Sequence, residues 1–189
     1  MSSHHIVREK QEPALLVLGL EHFPDELLGQ LLEWSPTVIA TADTADILTS
    51  RGIKIDWLIA GRNDDPSQSD VKLMPAEEGN LTDAALEYLL ESEYPAVNII
   101  TDELNLDNFV HFANRIDIVI FHNKRRIYPI TNGFKKWKPS GESVYIYGQA
   151  ANLETPGLEP VIDGRYKTAR DGFFSLSFDN PFLFVAEEL

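Results

Sequence analysis

The sequence predicts an α/β fold: a mainly parallel sheet flanked by helices, followed by a small antiparallel β-sandwich. Three observations predict it. Short apolar runs alternate with segments of helical periodicity through the first two-thirds of the chain, the pattern of βα units on a parallel sheet. After residue 121 the helical period disappears, and short strand-like runs separated by turn formers replace it. Of the 189 residues, 43% are hydrophobic, so a packed core is expected rather than disorder. The domains are accordingly placed at 1–121 (α/β) and 122–189 (β).

Each element has a local reason. Ala14 to Leu20 is a continuous apolar run of strand length, as expected for a strand covered on both faces. Pro24 suits a first helical turn, Asp25 and Glu26 suit the positive helix end, and Leu27, Leu28, Leu31 and Leu32 form one apolar stripe. Thr37 to Thr41 reads as a second strand, Asp43 to Ser50 as a helix ended by Gly52, and Asp56 to Ala60 as a third strand. A polar loop from Gly61 to Asp70 follows, then a helix capped by Thr82 that carries Ala85, Leu86, Leu89 and Leu90 on one side. Ala96 to Thr101 is a fourth strand, Leu104 to Asn114 a helix by the spacing of Leu106, Phe109, Val110 and Ala113, and Asp117 to Phe121 a fifth strand. Beyond it, Arg126–Thr131, Ser143–Gly148, Gly172–Phe178 and Phe182–Val185 are strand candidates between Asn132-Gly133, Pro139-Ser140-Gly141, Pro156-Gly157 and Asn180-Pro181 turns. A β unit of this size is expected to lean on the α/β part or on a partner chain.

Composition narrows the function classes. A formal net charge of -14 repels phosphate backbones and anionic lipid, so neither nucleic acid nor membrane is an expected partner. No apolar run approaches the ~20 residues of a bilayer span, and no secretory signal pattern opens the chain. The absence of cysteine excludes disulfides, thiolate nucleophiles and cysteine-ligated zinc, and a cytoplasmic location fits it. One stretch runs against the overall charge: Lys124, Arg125, Arg126, Lys135, Lys136 and Lys138 with no acid between them. It reads as a solvated hairpin with a basic rim or, more sharply, as a docking patch for an anion or an acidic subunit surface.

In an open parallel sheet, ligands bind beyond the carboxyl ends of the strands. The residues expected there are Glu21 and His22, Ala42 and Asp43, Gly61 to Asp65, Thr101 to Glu103, and the helix start at Thr82-Asp83. Such an acid-rich mouth is where Mg2+ would be held for phosphoryl transfer. Against that, a chain with 30 acidic residues puts carboxylates at every sheet edge, and no Walker-type loop, G-x-G-x-x-G or G-x-S-x-G motif is present. Trp57, Trp137 and Phe134 have the chemistry to stack on a heteroaromatic ring, but strand aromatics are more often core. His22 and His111 are given no role.

Several segments resemble bacterial thiamine pyrophosphokinases: Ser2 to Arg8, Gln11 to Leu15, Leu27 to Val38, Gly52 to Asp56, Leu81 to Asp83, Ala96 to Ile100, and Lys136 to Gly141. They occur in the family's order with similar spacing to about residue 150. The resemblance implies an α/β domain followed by a β-sandwich, a homodimer, and transfer of a pyrophosphoryl group from ATP to thiamine with release of AMP. It also implies a cluster of aspartates holding Mg2+ on the ATP phosphates, with the facing subunit helping to hold thiamine.

Residue by residue, the sequence departs from that pattern. The family's G-D-x-D falls on Ala60-Gly61-Arg62-Asn63, and D-x-T-D on Asn80-Leu81-Thr82-Asp83. The Asp-Gly pair after the second strand falls on Ala42-Asp43, displacing the acid by one residue. The glycine-rich loop ending in Asp-His falls around Asp102 to Phe109, which has no glycine, arginine or matching histidine. The serine-rich thiamine loop has no counterpart, and the stretch from Pro156 to Gly172 is too short to contain it. The resemblance therefore places Arg62, Asn63, Asn80 and Thr82 at the nucleotide positions and leaves Asp83 and Asp102 as candidate metal ligands. The expected protein is a catalytically degraded relative that binds thiamine, a related small molecule or another protein, and needs no cofactor. The alternative is an active thiamine diphosphokinase, using ATP and Mg2+, on a rearranged cluster of Asp43, Asp64, Asp65 and Asp83 with Asp102. Neighbouring Asp64 and Asp65 do not reproduce D-x-D in an extended segment, because adjacent side chains point to opposite sides.

Overall fold

The N-terminal apolar run is buried along its whole length as strand β1 (Ala14–Val17). It lies between two parallel neighbours, β2 (Val38–Thr41) and β5 (Ala96–Ile100), with Leu15 opposite both Val38 and Asn98. β3 (Trp57–Ala60) and β4 (Lys72–Pro75) extend the sheet beyond β2, also in parallel. This is a computed structural model, and it describes residue 10 and residues 12–60, 70–76 and 80–189. The chain divides into two compact units, Met1–Ile118 and Val119–Leu189, and strand β6 (Asp117–His122) leads from one into the other. Among the described residues, no helix is long and apolar enough to cross a membrane.

Within the first unit the strand order is β5-β1-β2-β3-β4. The chain winds outward from β1 to β4 and then returns to pair β5 on the other side of β1. That reversal puts a topological switch point between β1 and β5, where the two following loops diverge and leave a crevice.

The helices begin and end for local reasons. Helix α1 (Asp25–Leu32) starts after an extended Pro24, carries Asp25 and Glu26 in its first turn, and buries Leu28. Helix α2 (Ala42–Ser50) begins on a reciprocal capping box: the Thr44 amide donates to the Thr41 hydroxyl and the Thr41 amide to Thr44 Oγ1. It ends with Gly52 at φ +72°, where Ile53 N–H bonds Leu48 C=O and Gly52 N–H bonds Thr49 C=O, a Schellman closure that favours glycine. Helix α3 (Leu81–Glu91) buries Ala85, Leu86 and Leu89. Its cap is Asn80, with no side-chain cap hydrogen bond, so Thr82 lies inside the first turn instead of capping it.

Two expectations for this unit change. Lys72–Pro75 forms the edge strand β4 although only Met74 is buried, so no apolar alternation announces it. The segment expected as a helix from Leu104 to Asn114 is a single 3-10 turn, Leu106–Phe109, followed by further turns. Asn105 Oδ1 accepts from the Asp107 amide at 3.1 Å, a local side-chain bond of the kind that competes with regular helix.

The second unit is antiparallel. β6 and β7 (Arg125–Ile130) form a tight hairpin through Asn123 and Lys124, both at positive φ, as a two-residue hairpin turn requires. The larger sheet runs β6-β7-β13-β9-β11-β10, with β9 (Ser143–Tyr147), β10 (Leu158–Ile162), β11 (Arg165–Thr168) and β13 (Leu183–Glu188). A separate pair, β8 (Phe134–Lys138) and β12 (Gly172–Leu176), completes the unit. Its core joins Val144, Ile146 and Val185 of the larger sheet to Phe174 and Leu176 of the pair, as in two sheets sharing one apolar layer. The short stretch between Pro156 and Gly172 is occupied by the β10–β11 hairpin.

Candidate functional site

The crevice predicted by the strand order is present. A cleft of about 730 Å³ opens beyond the carboxyl ends of β1, β2 and β5, bounded by the turn after β1, the starts of α2 and α3, and the loop after β5. Two hydroxyls shape its floor. Thr44 Oγ1 donates to the Val17 carbonyl at 2.9 Å, tying the first turn of α2 to the end of β1. Thr101, buried after β5, donates to the Glu103 carbonyl at 2.7 Å and turns the chain there.

Asp102 is fixed more tightly than its position in a loop implies. Its Oδ2 accepts from the Glu21 amide at 2.9 Å, across a sequence separation of 81 residues. A Cβ placed on Gly19 would collide with that carboxylate and with the Asp102 amide, which would lie 2.7 Å away. Glycine at position 19 is therefore what lets the two loops close on each other. Neither the residue nor its role is visible from the sequence, where Gly19 is simply part of an apolar run.

The cleft wall carries Glu21, Asp43, Asp102 and Glu103, with His22, and among its described residues there is no lysine or arginine. Its positive contributions are the N-terminal ends of α2 and α3. Such a wall favours neutral or cationic groups and accepts hydrogen bonds from them; a bare anion meets like charge.

The sequence candidates separate accordingly. Asp43 is exposed in the first turn of α2 and lines the cleft with Asp102 and Thr82, whereas the described lining does not include Asp83 or Asn80. Arg62, Asn63, Asp64 and Asp65 lie outside the described residues. Among the described residues, no three histidine, aspartate or glutamate side chains are gathered as a metal-binding group. Of the aromatics, Trp57 packs against Tyr88 in a tilted arrangement, ring centroids 4.5 Å apart, and Phe134 packs on Tyr128 and Phe174. Trp137 faces outward opposite Phe173, 53% and 63% exposed.

The basic stretch of the second unit has a partner that sequence reasoning missed. Glu187, on β13, is only 1% exposed and is met by three cations from that stretch. Arg126 Nη2 lies 2.8 Å and Lys136 Nζ 2.7 Å from its carboxylate, Lys138 Nζ is at 3.6 Å, and the Tyr128 hydroxyl donates at 2.7 Å. Burial alone would raise its pKa, but hydrogen bonds from Lys136, Tyr128 and Arg126 hold it at about 2. Burial and then the bond to Glu187 push the Tyr128 phenol well above its ordinary value. Half of the basic rim is thus internal charge compensation.

A scan against family models finds no match, and a search of curated proteins finds none. Solved structures do match along nearly the whole chain. A protein of Lactobacillus plantarum superposes with a TM-score of 0.71 at 14% identity, covering 94% of this chain and 98% of its own. Thiamin pyrophosphokinase from Geobacillus thermodenitrificans gives 0.67 at 15%, covering 93% and 97%. The yeast enzyme gives 0.65 at 12%, covering 97% and 88%. A switch-point cleft followed by an antiparallel unit is a two-part α/β architecture. In particular, the chain has the thiamin pyrophosphokinase fold, as the sequence resemblance predicts.

Proposed function

We propose that the chain is a thiamin pyrophosphokinase-like protein that holds a ligand or partner without carrying out pyrophosphoryl transfer. The observation that supports this reading is that the acids of the cleft, though they share one wall, are not gathered into a metal-binding group among the described residues. Asp102 has one oxygen committed to the Glu21 amide, Asp43 stands in the exposed first turn of α2, and Asp83 is outside the described cleft lining. Pyrophosphoryl transfer needs charge on the reacting group neutralised by a converging set of metal and donors. An acid-lined cleft of this size instead suits a small organic cation, a description that includes thiamine. A cytoplasmic homodimer is part of the same reading.

Calorimetric titration with thiamine, thiamine diphosphate and ATP·Mg2+, beside an assay for AMP release, tests it. Binding of thiamine without turnover is expected. Silence for all three ligands would move the role towards protein interaction. The active reading draws support from Asp43 and Asp102 sharing one cleft; thiamine-dependent AMP release abolished by Asp83→Ala would replace the present proposal with it. Light scattering on purified protein checks the dimer.

A further inference from the structure

The turn that leads into β8 joins a reactive pair of residues to restraints on both reacting groups. Asn132 is the one asparagine of the chain followed by glycine. Glycine has no side chain to shield its amide nitrogen, so an unrestrained Asn-Gly pair is prone to intramolecular deamidation. In that reaction the Gly133 amide nitrogen gives up its proton and bonds to Asn132 Cγ, the Cγ–Nδ2 bond breaks, and ammonia leaves. Water then opens the resulting succinimide at either carbonyl, giving aspartate or isoaspartate, and nothing is oxidised or reduced.

In the fold, both groups are engaged elsewhere. Gly133 N–H donates to the Leu176 carbonyl at 3.0 Å, tying the nucleophilic nitrogen to β12. Asn132 Oδ1 accepts from the Phe178 amide at 3.1 Å, across a sequence separation of 46 residues, which fixes the carboxamide. Phe134 N–H closes the turn on the Thr131 carbonyl at 3.2 Å. The anchors themselves belong to the core of the second unit, with Leu176 and Phe178 both buried. Asn132 and Gly133 are exposed, so water reaches them. Attack therefore requires the turn to part from the end of β12, a local opening and not the arrival of solvent.

We propose that Asn132-Gly133 is a latent modification site: held unreacted by its bonds to Leu176 and Phe178, it deamidates when the turn parts from β12. The product keeps a record of the opening. Aspartate retains an acceptor for the Phe178 amide and adds a negative charge to an already acidic chain. Isoaspartate puts an extra carbon into the main chain and shifts Gly133 out of line with the Leu176 carbonyl.

The full chain, incubated at mildly alkaline pH either folded or unfolded in guanidinium, tests the site by peptide mapping with mass spectrometry. Asn132 is expected to be the first asparagine converted in the unfolded chain. In the folded chain its conversion should be slower by about a hundredfold or more. Below the unfolding midpoint, the rate should rise with denaturant in step with hydrogen exchange at the Gly133 and Phe178 amides. Three results overturn the proposal. They are folded and unfolded rates within about tenfold of each other, a different asparagine reacting first in the unfolded chain, or conversion that does not follow the exchange of those amides.

Discussion

Glu187 in the second unit and Asp102 in the first are both anchored by hydrogen bonds, yet the charges around them differ. Glu187 is enclosed by Arg126, Lys136 and Lys138, so its charge is answered within the fold. Asp102 meets a backbone amide, and the acids that share its cleft face no lysine or arginine among the described lining residues. A carboxylate matched by its own chain serves structure; removing it takes the shared partner from Arg126, Lys136 and Lys138, of which Lys138 is the most covered. Carboxylates left unmatched around a cavity keep their charge available to something that enters.

Glu187→Gln should therefore have the largest effect on stability, a loss of about 3–5 kcal/mol in chemical denaturation, because three cations then share a neutral group. Its pH dependence sharpens the point. The folded pKa of about 2 lies below the ordinary 4.5, so the unfolded chain binds the proton first as pH falls. The contribution is present above about pH 4.5 and lost towards pH 2. The gap in unfolding free energy between the wild type and Glu187→Gln should narrow across that window; a gap that stays constant would break the contrast.

Gly19→Ala comes next, with an expected cost of about 1–3 kcal/mol by the same measurement, since the added carbon must displace Asp102. Loss of any cleft ligand should accompany it. Thr44→Val removes half of the capping box and the bond to Val17, and should cost about 1–2 kcal/mol in thermal unfolding. Asp43→Asn should change stability by less than about 0.5 kcal/mol. It should nonetheless weaken binding of a cationic ligand in calorimetry; equal binding would remove Asp43 from the site.

The fold was legible where burial leaves a pattern. The apolar run at β1 and the spaced leucines of α1 and α3 announce themselves because one face or both must be dry. β4 escaped because Met74 is its one buried residue, and β8 because three of its five residues are lysines. The inward lysines Lys136 and Lys138 run to a carboxylate about fifty residues away along the chain, which no local period encodes. The cleft followed from the general rule about strand ends, and Glu21, His22, Asp43 and Asp102 are in it. The contact of Gly19 with Asp102 was not legible, since it joins two loops that only the parallel pairing of β1 with β5 brings together.

The outermost strands have a consequence for handling the protein. β4 ends in Pro75 and carries Lys72, while β10 contains Glu159 and Pro160 and shifts register between Pro160 and Ile162. Each rim thus offers an interrupted row of free amides, with charge and a bulge in the way of another chain. Concentrated solutions are protected against growth by strand addition, and copies that do associate are steered to meet through side-chain surfaces instead.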